Sequence, residues 1–172
     1  WVNIDANAKL SGLKSKAIDV TTSFYNIHHI FQRELGADMG FLAWRDVGLN
    51  PYGNSVIVNA EFLAKNKPLI DKFVKVTQRA FAACVKDPKP CVQALIDANG
   101  ALSIENETVN WQLVEVLMSD KTSREVALGI HDDARMKADY ELVRDYVGID
   151  KPFDVKSVYT NEFLDRSIRM TK

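Results

Sequence analysis

Gly48-Leu49-Asn50-Pro51-Tyr52-Gly53-Asn54, followed by Ser55-Val56-Ile57-Val58-Asn59, is the stretch on which the reading of the fold turns. Two glycines, two asparagines and a proline within seven residues are a dense turn signal. The β-branched run behind them reads as a strand. Upstream of this stretch strand and helix signals alternate, and downstream the pattern is almost wholly helical. The composition therefore shifts near Asn59, with an α/β part in front and a helical part behind.

Upstream, Trp1-Val2-Asn3-Ile4 is a strand candidate. Asp5 is placed to cap a helix over 6–16, with Ala6, Leu10, Leu13 and Ala17 at helical spacing. Ile18-Asp19-Val20-Thr21-Thr22 is again strand-like. Thr22 or Ser23 then opens a helix through Ile27, Ile30, Phe31 and Leu35 that stops at Gly36. Phe41-Leu42-Ala43-Trp44 is a third strand candidate. Strands alternating with short helices predict an α/β class with a parallel sheet and crossover helices.

Downstream, Leu69, Ile70, Phe73, Val74, Thr77, Ala80, Phe81 and Cys84 predict a helix over 68–85, with Pro68 in its first turn. Helices are also expected over 91–98, ending at Asn99-Gly100, from 106 or 107 to 118, and over 134–147, closed by Gly148. A short helix is expected at 161–164. Cys84 and Cys91 flank Lys86-Asp87-Pro88-Lys89-Pro90. A helix-turn-helix there either brings the two sulfurs within bridging range or leaves two buried thiols. The spacing of two cysteines is not that of a structural zinc site.

The 172 residues carry 22 basic and 23 acidic side chains, a net charge of -1, and 47% are hydrophobic. Such a chain can build a core, and without a basic stripe nucleic acid is not an expected partner. No apolar run reaches the length of a membrane-spanning helix. No charged and apolar leader precedes Trp1, which reads as a processed or truncated front.

The sequence holds no nucleophile elbow, phosphate loop, dinucleotide fingerprint or zinc-protease motif, and no catalysis, cofactor or metal is expected. His28 and His29, about 100° apart on a helix, cannot share a metal. His131-Asp132-Asp133 reads as a solvated loop with Asp133 capping the helix behind it. Two polar clusters remain. In Thr21-Thr22-Ser23-Phe24-Tyr25-Asn26, helix-start amides at Ser23 with Tyr25 and Asn26 are placed to hold a ligand beyond a strand end. The alternative is a plain cap with Phe24 in the core. In Trp44-Arg45-Asp46 and Asn50 to Asn54, Asp46 would accept hydrogen bonds from an amino group. Tyr52 would supply an aromatic wall, and Asn54 an amide that both donates and accepts. The alternative is a surface turn with Tyr52 packing.

Three further stretches carry a family likeness. Leu13-Lys14-Ser15-Lys16-Ala17-Ile18-Asp19-Val20, the run 48–59 with Glu61-Phe62-Leu63-Ala64-Lys65-Asn66-Lys67-Pro68, and Tyr159-Thr160-Asn161-Glu162-Phe163-Leu164 resemble segments of periplasmic solute-binding proteins. The nearest group resembled binds thiamine pyrimidine precursors, sulfonates or nitrate for ABC importers. The resemblance implies an exported protein in the periplasm, a planar or amino-bearing solute, and a transporter permease as partner. It also implies a type II binding-protein fold of two α/β lobes, of which this chain is a C-terminal fragment. Residues 1–46 would then form part of lobe two, 47–58 a hinge, and 59–172 the helical return part of lobe one. Exposed edges in such a fragment would favour a homodimer or a domain swap. Relatives of the fold that make the thiamine pyrimidine use a cysteine-rich motif that is absent here. An enzyme of that type and a ligand-sensing regulatory domain are the alternatives.

Overall fold

The structure, a computed structural model, describes residues 2–171. It contains eight α-helices among the described residues: α1 (Lys9–Lys14), α2 (His28–Leu35), α3 (Ala60–Lys65), α4 (Lys67–Lys86), α5 (Pro88–Ala98), α6 (Ile104–Met118), α7 (Lys121–Glu125) and α8 (Asp133–Tyr146). Single 3-10 turns stand at Ala6–Ala8, Tyr25–Ile27, Gly36–Asp38, Trp44–Val47 and Val155–Ser157.

The expected α/β class is overturned. Among the described residues there is no strand and no sheet, so neither a parallel sheet nor a binding-protein lobe is formed. Of the strand candidates, Trp1 lies outside the described residues. Those at 18–22, 41–44 and 55–59 are not helical in their leading residues, but no ladder pairs them. Phe24 (φ -82°, ψ 142°), Ala43 (φ -75°, ψ 133°) and Asn59 (φ -62°, ψ 134°) show locally extended backbone at their borders. β-Branched side chains favour extended backbone, but a strand gains stability only from a neighbour across the ladder. These side chains face solvent instead: Val20 is 85% and Ile57 92% exposed.

The helices follow local chemistry. Asp5 accepts from the Asn7 N–H at 2.8 Å at the start of the first turn. Ser23 does not open the second helix. Its boundary residue is Phe24, without a side-chain cap, and Gly36 ends α2 at φ 62°, backbone that favours glycine. Pro68 occupies the first turn of α4. Asp87, accepting from Lys89 N–H, starts α5 at Pro88, so the residues read as a turn already belong to the helix. Asp120 and Ser123 cap α7 reciprocally. The cap of α8 is Asp132, not Asp133. Residues 161–164 form a turn rather than a helix.

Cys84 and Cys91 are joined in a disulfide, with Cα atoms 5.8 Å apart. It ties the end of α4 to the first turns of α5. The core beneath it is small: Val85, Leu128 and Met170 are buried, with Ala82, Trp111, Met118 and Ile168 packed around them. The C-terminal segment is held there by polar bonds. The buried Gln78 amide donates to Leu128 O (2.9 Å) and Asp165 O (3.0 Å) and accepts from Asp165 N–H (2.9 Å). Leu128 N–H donates to Ile168 O, and Met170 N–H to Ser123 O, both at 2.9 Å.

Candidate functional site

The two polar clusters singled out in the sequence lie side by side. Phe24 packs against Gly53, close enough that a β-carbon added to the glycine would sit 3.6 Å from the ring. The Arg45 guanidinium lies 5.7 Å from the centre of the Tyr25 ring. Around Tyr25 the rings of His28 (5.5 Å) and Phe41 (5.8 Å) gather, and His28 and Phe41 meet edge to face at 4.4 Å. Local order explains this grouping. The Tyr25–Ile27 turn runs directly into α2, so Tyr25 and His28 are one turn apart on one side. His29 faces inward, with both ring nitrogens buried and no hydrogen-bond partner among the described residues. The patch is open at its rim, where Phe24, Phe41 and Trp44 are 58%, 53% and 52% exposed.

The six expected contact residues are placed differently from one another. Ser23, Asp46 and Asn54 are exposed. Asp46 has the Arg45 guanidinium 3.9 Å away. Asn26 is half-buried and donates to Asn110 Oδ1 at 2.7 Å, and Asn110 in turn donates to Glu107, so this amide ties the turn to α6. Tyr52 is engaged on several sides. Its hydroxyl accepts from Asp132 N–H at 2.7 Å and donates to Ile130 O at 3.4 Å. Its own N–H donates to Asp139 at 3.2 Å.

A second set of residues, not picked out in the sequence, receives Tyr52. Arg135 sits 4.0 Å from the centre of the Tyr52 ring. It donates to Asn50 O (2.6 Å), Asn50 Oδ1 (3.2 Å) and Pro51 O (3.1 Å), and lies 3.6 Å from Asp120. His131 meets the Tyr52 ring edge to face at 5.1 Å, with Tyr159 at 5.7 Å and Ser55 Oγ 3.2 Å from Nε2. Asn161 exchanges two hydrogen bonds with the His131 backbone, at 2.9 and 2.8 Å. His131, expected in a solvated loop, is half-buried instead.

The electrostatics follow from burial and pairing. Burial pushes the Tyr52 hydroxyl above its ordinary pKa, opposed by the bond from Asp132 N–H. Burial pushes His131 below its ordinary value. The bond from Tyr159 OH to Asp133 (2.7 Å) raises Tyr159 to about 12. The same bond, with help from Lys156, lowers Asp133. No three His, Cys, Asp or Glu side chains converge on a metal-binding geometry among the described residues.

Two open grooves lie elsewhere. One of about 480 Å³ runs between α8 and the Val155–Ser157 turn, over Tyr140, Arg144 and Phe153. One of about 540 Å³ lies over Ile57, Phe62 and Asn66. None of the six expected residues lines either groove.

Residues 1–90 match the model of the family described as NMT1/THI5 like. The match covers more than half of the chain, and the chain belongs to this family. No curated protein and no solved structure matches it. Membership is consistent with a solute-binding role. The aromatic patch and Tyr52 fall inside the matched span, whereas the α8 surface that receives Tyr52 falls outside it.

Proposed function

We propose that this chain captures a small planar solute without transforming it, on the patch of Tyr25, His28 and Phe41 beside Arg45 and Asp46. One observation carries the reading: three aromatic rings and a guanidinium converge where two separate polar clusters of the sequence meet. Ring faces and edges suit a planar ligand. Asp46 would accept from an amino substituent, and Arg45 would donate to a ring nitrogen or an acid group. An aminopyrimidine of the thiamine-precursor kind meets these demands together, and family membership supports a solute of that class.

The reading extends to delivery, with the permease of an ABC importer as protein partner and the periplasm as location. The Cys84–Cys91 bridge supports an oxidising compartment. The test is thermal unfolding of the full chain with aminopyrimidines, aromatic acids, sulfonates and nitrate in turn. Stabilisation by an aminopyrimidine is expected, reduced in Phe41→Ala and Arg45→Ala. No stabilisation by any of these solutes, or an undiminished effect in both variants, defeats the reading. Chemical consumption of the solute would instead establish a biosynthetic enzyme.

A further inference from the structure

Ser55 Oγ lies 3.2 Å from His131 Nε2, within the range over which a hydroxyl gives its proton to a base. The setting differs from that of other hydroxyls in the chain. Ser11, Ser15 and Ser157 donate to backbone carbonyls, which cannot take the proton away. An imidazole can. In the neutral tautomer that carries its hydrogen on Nδ1, Nε2 is an acceptor. Burial favours that neutral form.

The base is held and the nucleophile is open. Asn161 fixes the His131 backbone through both of its amide atoms, at 2.9 and 2.8 Å. The rings of Tyr52 and Tyr159 flank the imidazole at 5.1 and 5.7 Å between centres. An imidazolium formed there would stand within cation–π range of both rings. Asp132 and Asp133 adjoin it in the chain, Asp133 being shared with Lys156 at 3.2 Å. Asp139 accepts from Tyr52 N–H. Arg135 on the Tyr52 ring opposes a second cation, and Asp120 at 3.6 Å offsets it. Ser55 itself is exposed, and Val56 and Ile57 beside it are 57% and 92% exposed. The N–H groups of Ser55 and Val56 make no hydrogen bond among the described residues, so donors for an oxyanion stand in the same segment as the hydroxyl. The groove over Ile57 and Phe62 opens two residues along, with apolar surface for an aryl group.

We infer that Ser55 and His131 form a nucleophile–base pair, and that Ser55 is the site at which this chain is acylated by small activated esters of aromatic alcohols. Ser55 Oγ bonds to the ester carbonyl carbon while its proton passes to His131 Nε2. The bond from that carbon to the aryl oxygen then breaks. The aryl oxide takes the proton from Nε2 and leaves as the phenol, with the acyl group on Ser55. The inference is independent of the solute-binding reading.

The test treats the full chain with 4-nitrophenyl acetate, follows nitrophenol release and locates the acetyl group by peptide mass spectrometry. An acetyl group on Ser55 is expected. Ser55→Ala should lose it with circular dichroism unchanged, since the position is exposed. His131→Gln should slow acetylation at Ser55 by at least about a hundredfold. Ser15→Ala, at another exposed hydroxyl, should leave the rate as it is. If His131→Gln disturbs the fold, the wild-type pH profile decides. The rate should rise through a single titration below 6.5 and be level between about pH 7 and 8. Acetyl groups on lysines alone, a His131→Gln rate within about threefold of wild type, or a rate climbing about tenfold from pH 7 to 8 overturns the inference.

Discussion

The guanidinium of Arg135 lies 4.0 Å from the centre of the Tyr52 ring, while the Tyr52 hydroxyl accepts from Asp132 N–H three residues earlier on the same helix start. One side chain from the irregular stretch thus meets the cap, the first turn and a cation of α8 together. Arg135 adds three bonds to Asn50 and Pro51, so 50–52 is fastened to α8 by its backbone as well as by a ring. In a chain without a sheet among its described residues, this clamp fixes where the expected hinge segment lies.

Tyr52→Phe removes a hydroxyl that both donates and accepts in a half-buried setting, and takes a partner from Ile130 O and Asp132 N–H. A loss of about 1–2 kcal/mol is expected in urea unfolding. Arg135→Lys keeps the charge but loses the planar fork, so it should not preserve the clamp. Hydrogen exchange should then rise at Tyr52 N–H, which the clamp holds against Asp139. Equal protection there in Arg135→Lys and wild type would refute the clamp.

Much of the helical content is legible in the sequence because its signals are local. Pro68 in the first turn of α4, Gly36 after α2 and Gly148 after α8 act through their own backbone, and no distant contact alters them. The missing sheet is not legible, because β propensity reports a preference for extended backbone and says nothing about a partner. Val20 and Ile57 lie outside any helix and stand exposed without a ladder. In the candidate site, Tyr25 and Tyr52 stand out as aromatic residues in polar turns. Arg135, His131 and Asn161 do not, because they lie 79 or more positions from Tyr52 and only tertiary packing joins them.

Gln78 uses its buried amide on three backbone groups of the segment 128–165. Gln78→Ala takes the partner from each of those groups and should cost about 2–3 kcal/mol in unfolding free energy. Gln78→Glu should not rescue it, since a carboxylate cannot donate to Leu128 O and Asp165 O. A shift in the denaturant midpoint within error of zero for Gln78→Ala would show that the Gln78 amide does not hold the C-terminal segment.

Reduction of Cys84–Cys91 opens a loop of seven residues' separation. Chain entropy for so short a loop predicts a loss of about 2–3 kcal/mol. The paired variant Cys84→Ser/Cys91→Ser should unfold at a lower temperature than the oxidised chain and show no further response to reductant. Because Cys84 adjoins the buried Val85, the loss should reach the core, and near-ultraviolet circular dichroism of Trp111 should weaken with it. A variant as stable as the oxidised chain would place the bridge outside the folding energetics.

The pH response of the same clamp has a definite sign. Burial depresses the folded-state pKa of His131 below its ordinary value of 6.5. As pH falls through that value the unfolded chain takes up the proton first, so folding loses stability between 6.5 and the lower folded value and levels off beneath it. Above 6.5 both states are neutral and the full stability is present. Asp133 acts in a separate window. Its pKa is lowered below 3.8 chiefly by Tyr159, so its contribution is present above that value and lost only as pH falls through the folded one. The denaturant midpoint should therefore decline in two steps on acidification. His131→Gln, which keeps a donor near Ser55 and the ring stack's polar edge, should abolish the upper step and leave the lower one. Tyr159→Phe removes the bond that depresses Asp133 and should shrink the lower step while sparing the upper. An upper step that survives His131→Gln would mean that the imidazole between Tyr52 and Tyr159 is not its source.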